Sequence, residues 1–269
     1  MMSEKIELLG KNIYTDIPGE LTLKPFPTVT ELDYVSSEDF EKTMLDDIFP
    51  ECIEEKVNFR KLLEIDFYWI CRAFRFLNYG PFHTVNAILC DNCGRVDGEC
   101  QVDLRSVECK PLPENFANDI VLTKDKMIDY DKEIHLHLLT IQEALDLRKD
   151  KMFVRKDGTT NSRLARICYS INSMGSIKMT PVTARLEVTG KMSASDYKVL
   201  GSEVAELTDF GLRGGGRCKC PKCHSDNAAF IALVDDRFFR PTVGDIRQGR
   251  TYRSVRGDEV PSGNKTEAV

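Results

Sequence analysis

The sequence predicts an α+β fold of helices and β-hairpins, and three observations predict it. Two C-x-x-C pairs, Cys90–Cys93 and Cys220–Cys223, each adjoin apolar, alternating runs. From Asn58 to Leu77, apolar residues recur at spacings of three and four, which marks an amphipathic helix. Capping signals at Thr140 and Ser193 open two further helices, with short alternating strands before and between them.

The cysteine pairs organise the rest. Thr84–Leu89 precedes the first pair and Glu99–Leu104 follows it, while Ala228–Val234 follows the second. Strand, tight cysteine turn, strand is the outline of a zinc knuckle, here at 84–104 and 212–234. Structural zinc takes four ligands in a tetrahedron, and one pair supplies two. The expectation is a composite zinc ribbon in which Cys90, Cys93, Cys220 and Cys223 close one structural zinc site. Separate local sites, or pairs without metal, are the alternatives that the spacing leaves open. Cys218 falls at an inward strand position and is expected to pack. His224 stands where Gly94 follows the first knuckle. That place often needs a positive φ, which glycine adopts without strain; His224 is also a reserve ligand.

Length and charge bound the function. A chain of 269 residues supports one large domain or two small ones. A net charge of −6 argues against a general nucleic-acid binder, which is usually basic. Ten cysteines are too sparse for a disulfide scaffold in a chain this long. Met1–Glu7 has no apolar core segment, so no signal peptide is expected. No apolar run reaches the roughly 20 residues that span a bilayer, so no membrane partner is expected. The expected place of synthesis is reducing and cytosolic, with cysteines free or on metal.

In chain order, residues 1–30 read as an extended arm broken by Pro18, Pro25 and Pro27, with strands at Lys5–Leu9 and Leu21–Leu23. Residues 31–56 are acidic, either a solvated face or a docking surface for a basic partner, and Ser36-x-x-Asp39 starts a helix to about Asp47. The Asn58–Leu77 helix presents Phe59, Leu62, Leu63, Phe67, Ile70, Phe74 and Leu77. Trp69, Ala73 and Phe76 widen that stripe, which places the helix in the core or against a partner. Asp66, at its edge, needs a partner if buried. Tyr79-Gly80-Pro81 ends the helix.

Ile120–Leu122 and Glu133–Leu138 read as strands, with His135 and His137 on an outward face that lacks a third ligand. Thr140-Ile-Gln-Glu143 is a capping box for a helix to Lys149. Asp157-Gly158 is a turn, and Ser162 caps a helix from Arg163 to Met174. Ala184–Val188 alternates as a strand. Ser193 caps a helix whose face is Tyr197, Leu200, Val204 and Leu207. Gly211–Gly216 reads as flexible backbone rather than a phosphate loop, since no Gly-Lys-Ser/Thr follows. Phe238-Phe239-Arg-Pro241 closes the last hairpin. Residues 242–269, with Arg247, Arg250, Arg253 and Arg256, read as a disordered tail. The domain plan is therefore an arm (1–30), an α+β domain with the ribbon (31–241) and the tail (242–269).

Catalytic signatures are missing. The sequence has no nucleophile elbow, Walker motif, dinucleotide fingerprint or H-E-x-x-H. It has no H-x-E of a zinc deaminase. A four-cysteine site leaves the metal no open position. The expectation is a non-enzymatic protein.

Phe59-Arg-Lys-Leu-Leu-Glu-Ile-Asp-Phe-Tyr68 runs into Arg75-Phe-Leu-Asn-Tyr-Gly80 and then Cys90-Asp-Asn-Cys93-Gly. Val102-Asp-Leu104, Cys109-Lys-Pro-Leu112 and His137-Leu-Leu-Thr-Ile141 follow, and the second C-x-x-C and Phe238-Phe239-x-Pro241 close the series. This order, over about residues 20–241, resembles the baseplate hub and tail-assembly protein family of T-even-like contractile-tailed bacteriophages. The acidic N-terminal region, the arginine tail and His224 depart from the pattern. The resemblance implies a non-enzymatic tail protein, a baseplate hub component or an assembly factor, whose partners are other phage baseplate or tail proteins. It implies the host cytoplasm during assembly and the virion tail baseplate as locations. The rival reading is a zinc-ribbon nucleic-acid adaptor, supported by the tail arginines and opposed by the net charge.

Overall fold

A computed structural model of the chain describes residues 3–27, 39–86, 89–94 and 99–231. The expected helix start at Ser36, the Phe238-Phe239 turn and the tail 242–269 lie outside them. Helix and sheet are mixed throughout the described chain.

The two strands expected in the N-terminal segment are present, and they pack against the main core. β1 (Glu4–Glu7) and β2 (Glu20–Leu23) pair antiparallel, Glu4 opposite Leu23. Ile6, Leu8, Ile17, Leu21 and Leu23 are buried in the main core. Burying these five apolar side chains offsets the cost of ordering the segment. Asp39 caps the first described helix: its carboxylate accepts from the Lys42 N–H at the start of α1 (Phe40–Thr43). A π-helical turn, Met44–Ile48, joins α1 to α2 (Phe49–Cys52). Acids here serve the chain itself. Asp39 holds Lys149 at 3.0 Å, Asp46 holds Arg60 at 2.6 Å, and Glu41 pairs with Arg148.

The long helix starts later than its periodicity suggests. Asn58 caps a 3₁₀ turn at Phe59–Lys61, Leu62 and Leu63 are extended, and α3 runs over Glu64–Tyr79. Pairing with a distant segment explains the break. The Ile141 N–H donates to the Leu62 carbonyl at 2.7 Å, and the Glu64 N–H to the Leu139 carbonyl at 2.9 Å. Both leucines still reach the core. Phe67, Ile70, Cys71 and Phe74 on α3 are fully buried. Trp69 is half-buried: its indole donates to the Glu7 carbonyl at 3.0 Å, and Arg72 stacks over both Trp69 and Phe76. Gly80, at φ 84°, ends the helix in a conformation that glycine adopts cheaply.

Asp66 is buried and takes its partners from the N-terminal segment rather than from a cation. It accepts from the Leu9 N–H (2.6 Å), the Gly10 N–H (3.0 Å) and the Tyr14 hydroxyl (2.6 Å). Burial pushes its carboxyl up to about 6, against the pull of those three donors.

β3 (Phe82–Asn86) and β4 (Glu99–Asp103) form a hairpin. β5 (Cys109–Lys110) leads to a second region. There β6 (Ile120–Leu122), β7 (Ile134–Leu136), β8 (Ile171–Met174) and β9 (Ile177–Lys178) make one antiparallel sheet in that order. Four helices pack with it: α4 (Ile141–Lys149), α5 (Ser162–Ser170), α6 (Pro181–Lys191) and α7 (Ala194–Leu207). Thr140 and Glu143 form the expected capping box, and Ser193 caps α7. Asn161, not Ser162, caps α5, and the helix stops at Ser170 because Ile171–Met174 pairs with β7 instead.

Ala184–Val188 is helix, not strand. Thr180 and Thr183 cap each other, Pro181 occupies the first turn, and Ala184 and Val188 are buried one turn apart while Leu186 faces out. His135 and His137 each meet one carboxylate, Asp119 at 2.9 Å and Glu143 at 3.2 Å. These are separate pairs and not a metal cluster.

The chain returns through β10 (Gly211–Leu212), which pairs with β5, to a second hairpin of β11 (Gly215–Lys219) and β12 (Asp226–Phe230). The first core gathers the N-terminal hairpin, α1–α3, the β3–β4 and β11–β12 strands and Ile141, Ala144 and Leu145 of α4; the second gathers Leu63 and the other buried apolar residues between Leu122 and Leu207. Among the described residues, no helix is long and apolar enough to cross a membrane.

Asp66→Ala leaves two backbone N–H groups and the Tyr14 O–H donor without their acceptor in the interior and is expected to cost at least about 3 kcal/mol in urea unfolding. The pH dependence has a definite sign. With a folded pKa raised from 3.8 to about 6, Asp66 binds more protons folded than unfolded. Its contribution to stability is therefore present below about pH 4 and lost as pH rises through 6. Subtracting the profile of Asp66→Asn from that of the parent protein should expose this slope; parallel profiles refute it.

Candidate metal centre

Both knuckles have the same local build. In the first, Cys90 begins a turn through Cys93, and the Gly94 N–H donates to the Cys90 carbonyl at 2.9 Å with Gly94 at φ 66°. In the second, Cys220 begins the turn, and the His224 N–H donates to the Cys220 carbonyl at 2.9 Å with His224 at φ 58°. The left-handed conformation expected at His224 is present. Its reserve role as a ligand is not, since the convergent group consists of the four cysteines alone.

One sheet brings the knuckles together. Its order is β12–β11–β4–β3, with Cys218 opposite Val102 where β11 meets β4. The hairpins lie side by side, so their turns project from the same end. The glycine run is packed strand rather than flexible backbone. A methyl at Gly216 would sit 2.6 Å from Val102 Cγ1 and 2.9 Å from Ile231 Cδ1. Gly211, at φ 85°, lies against Ile65. Only glycine lets these backbones approach.

The four sulfurs of Cys90, Cys93, Cys220 and Cys223 lie within 4.8 Å of one another. Cys90 Sγ is 3.6 Å from Cys223 Sγ, and Cys93 Sγ is 3.8 Å from Cys220 Sγ. A tetrahedron with Zn–S bonds near 2.3 Å has edges of about 3.8 Å. Each first cysteine faces the second cysteine of the other knuckle. None of the ten cysteines is in a disulfide. A closed set of four soft donors can hold a metal ion and leaves it no position for substrate.

Ser225 and Asn227 complete the site, and the sequence reading did not single them out. Ser225 Oγ lies 3.3 Å from Cys90 Sγ and 3.1 Å from Cys223 Sγ. Asn227, buried on β12, accepts from the Asp91 N–H at 3.2 Å and donates to the Ser225 carbonyl at 2.9 Å. The available signal was a pair of small polar residues directly after the second knuckle, on an inward strand register.

Two thiols of the cluster contrast with the packed ones. The Ser225 hydroxyl, with the Cys93 and Asn92 N–H groups behind it, holds Cys90 down at about 5, and Ser225 also lowers Cys223. Burial instead pushes Cys100 and Cys168 up to about 12 and Cys52 to about 11, and raises Cys71 well above its ordinary value. The thiolate is the metal-binding form, so the lowered thiols suit a ligand and the raised ones suit packing. Cys218 is buried as expected, and neighbouring Cys100 donates to the Lys219 carbonyl at 3.0 Å.

No protein-family model, curated protein or solved structure matches the chain.

His224→Gly replaces a left-handed residue that carries a Cβ with one that does not. The expected gain is about 1 kcal/mol in thermal or urea unfolding. A loss of stability would show that the imidazole contributes more than the backbone strain costs.

Proposed function

We propose that the four cysteines hold one structural zinc ion, and that the chain is a non-enzymatic baseplate hub component or assembly factor of a contractile phage tail. The metal assignment is carried by one observation: sulfurs from knuckles 127 and 133 residues apart converge within 4.8 Å. Tetrahedral four-thiolate sets suit zinc or iron, and redox-inert zinc is the usual structural choice. Bound there, zinc would supply cross-linking rather than Lewis-acid chemistry. Cys90 and Cys93 would anchor the first hairpin, and Cys220 and Cys223 the second.

The tail assignment is supported by the order of motifs from about residue 20 to residue 241. In this reading the chain acts through contacts with other baseplate or tail proteins, in the host cytoplasm during assembly and, as a hub component rather than an assembly factor, also in the virion tail baseplate. The closed sulfur set agrees with a role in contacts rather than catalysis.

Elemental analysis of the purified chain should give one zinc per chain. Serine at any one of Cys90, Cys93, Cys220 or Cys223 should release it and loosen both hairpins, because metal and fold are coupled. Serine at Cys52, Cys109 or Cys168 should leave it bound. Two metals per chain would indicate separate local sites. Mass spectrometry of purified phage tails and of assembly intermediates tests the second assignment. Absence from both, with salt-dependent DNA binding by the pure protein, would favour the nucleic-acid adaptor.

A further inference from the structure

We infer that Ser225 is the positioning residue that locks the two knuckles together at the level of their sulfurs and governs how firmly the site keeps its metal. This rests on the metal site proposed above.

The geometry is specific. The Cys90–Cys223 edge, 3.6 Å long, runs between the two knuckles. Ser225 Oγ lies over that edge, 3.3 Å from one sulfur and 3.1 Å from the other. A hydroxyl has one proton to donate and two lone pairs. When both sulfurs are metal-bound thiolates they only accept, so the proton is shared along the edge. The hydroxyl therefore places positive charge between two like-charged ligands, one from each half of the ribbon.

The residue is held there by backbone on both sides. His224 makes the left-handed turn that redirects the chain after Cys223. The Ser225 carbonyl then accepts from the Cys220 N–H at 2.9 Å and from Asn227 Nδ2 at 2.9 Å. Asn227 in turn accepts from the Asp91 N–H inside the first knuckle. Ser225 is thus tied to both C-x-x-C turns through its side chain and its carbonyl. Groups behind metal ligands orient them, and their loss typically costs 10–100-fold in metal affinity.

The effect should also be electronic. A thiolate that accepts a hydrogen bond is a weaker donor to the metal. Losing the bond should make Cys90 and Cys223 stronger donors and more open to attack by electrophiles, but the loss of positioning outweighs that gain in retention.

The test uses the full chain loaded with zinc, and separately with cobalt(II). Zinc transfer to the chromogenic chelator 4-(2-pyridylazo)resorcinol reports retention, and the sulfur-to-cobalt charge-transfer band reports donor strength. Ser225→Ala is expected to weaken retention 10–100-fold and to move the cobalt band to lower energy. Ser225→Thr, which keeps the hydroxyl, should stay close to the parent on both readouts. If Ser225→Ala does not fold, Ser225→Val compared with Ser225→Thr isolates the hydroxyl at constant shape. Retention within twofold of the parent and an unmoved cobalt band in the hydroxyl-free variant would overturn the inference. Weaker retention with an unmoved band would also overturn it, since packing alone would then explain the loss. A parent protein that binds neither metal removes the site itself, an outcome that the parent measurement identifies before any variant is compared.

Discussion

The meeting of residues 90–93 with residues 220–223 is the constraint on which the layout of the chain depends. It closes a loop of about 130 residues, and bringing the ends of so long a loop together carries an entropic cost that the folded contacts must offset. What the loop encloses is most of a second hydrophobic core, between Leu122 and Leu207 with Leu63 added from outside, while Ile141, Ala144 and Leu145 of α4 pack into the first. The enclosed region leaves and returns through one narrow point. β5 and β10 pair with Gly211 opposite Lys110, and Lys110 reaches Asp209 at 2.9 Å. Residues 111–210 therefore behave topologically as an insertion between two hairpins of one sheet. The sulfur cluster sits at the tip of that sheet, between two hairpins that the insertion separates in sequence.

The two cores share a charged seam at the start of α3. Glu64 receives Arg166 through two hydrogen bonds, 2.7 and 3.1 Å, and lies 3.7 Å from Arg148. Arg148 also binds Glu41 and donates to the Tyr68 hydroxyl. Four helices contribute to this network: α1, α3, α4 and α5. Half-buried ion pairs of this kind lose much of their Coulomb gain to desolvation, so their main effect is on orientation. Apolar burial drives the cores together, and the paired guanidinium groups select the angle. Asp66, two residues on, solves the same problem differently. It is buried without a cation, and backbone N–H groups stabilise its charge.

Strong local signals in the sequence carry over into the structure. The Thr140–Glu143 capping box, the Ser193 cap and the Gly80 stop depend on neighbours within four residues, and each is where it was expected. Errors arose where a distant partner decides. Leu62 and Leu63 continue the helical period, yet backbone pairing with residues 139–141 holds them extended. Ile171–Met174 extends a helical pattern but is taken by β7. The Ala184–Val188 error was different, because the deciding signal was local and was passed over. Alternation over five residues is weaker than a threonine cap followed by proline at the first turn.

The metal centre shows the same division within a few ångströms. Its ligands were legible because metal chemistry imposes both residue type and spacing, and a two-residue gap between cysteines fits a turn that aims both sulfurs at one point. Even the strained residue was legible, since a left-handed position after the second cysteine follows from the turn itself. The groups behind the ligands were not. Ser225 and Asn227 look like ordinary loop residues until β12 lies beside β11 and carries them toward the first knuckle. Their chemistry is generic, and only the tertiary register makes it specific. A four-sulfur cluster is thus announced by its cysteines, while the polar residues behind them become visible only when both halves of the chain are in place.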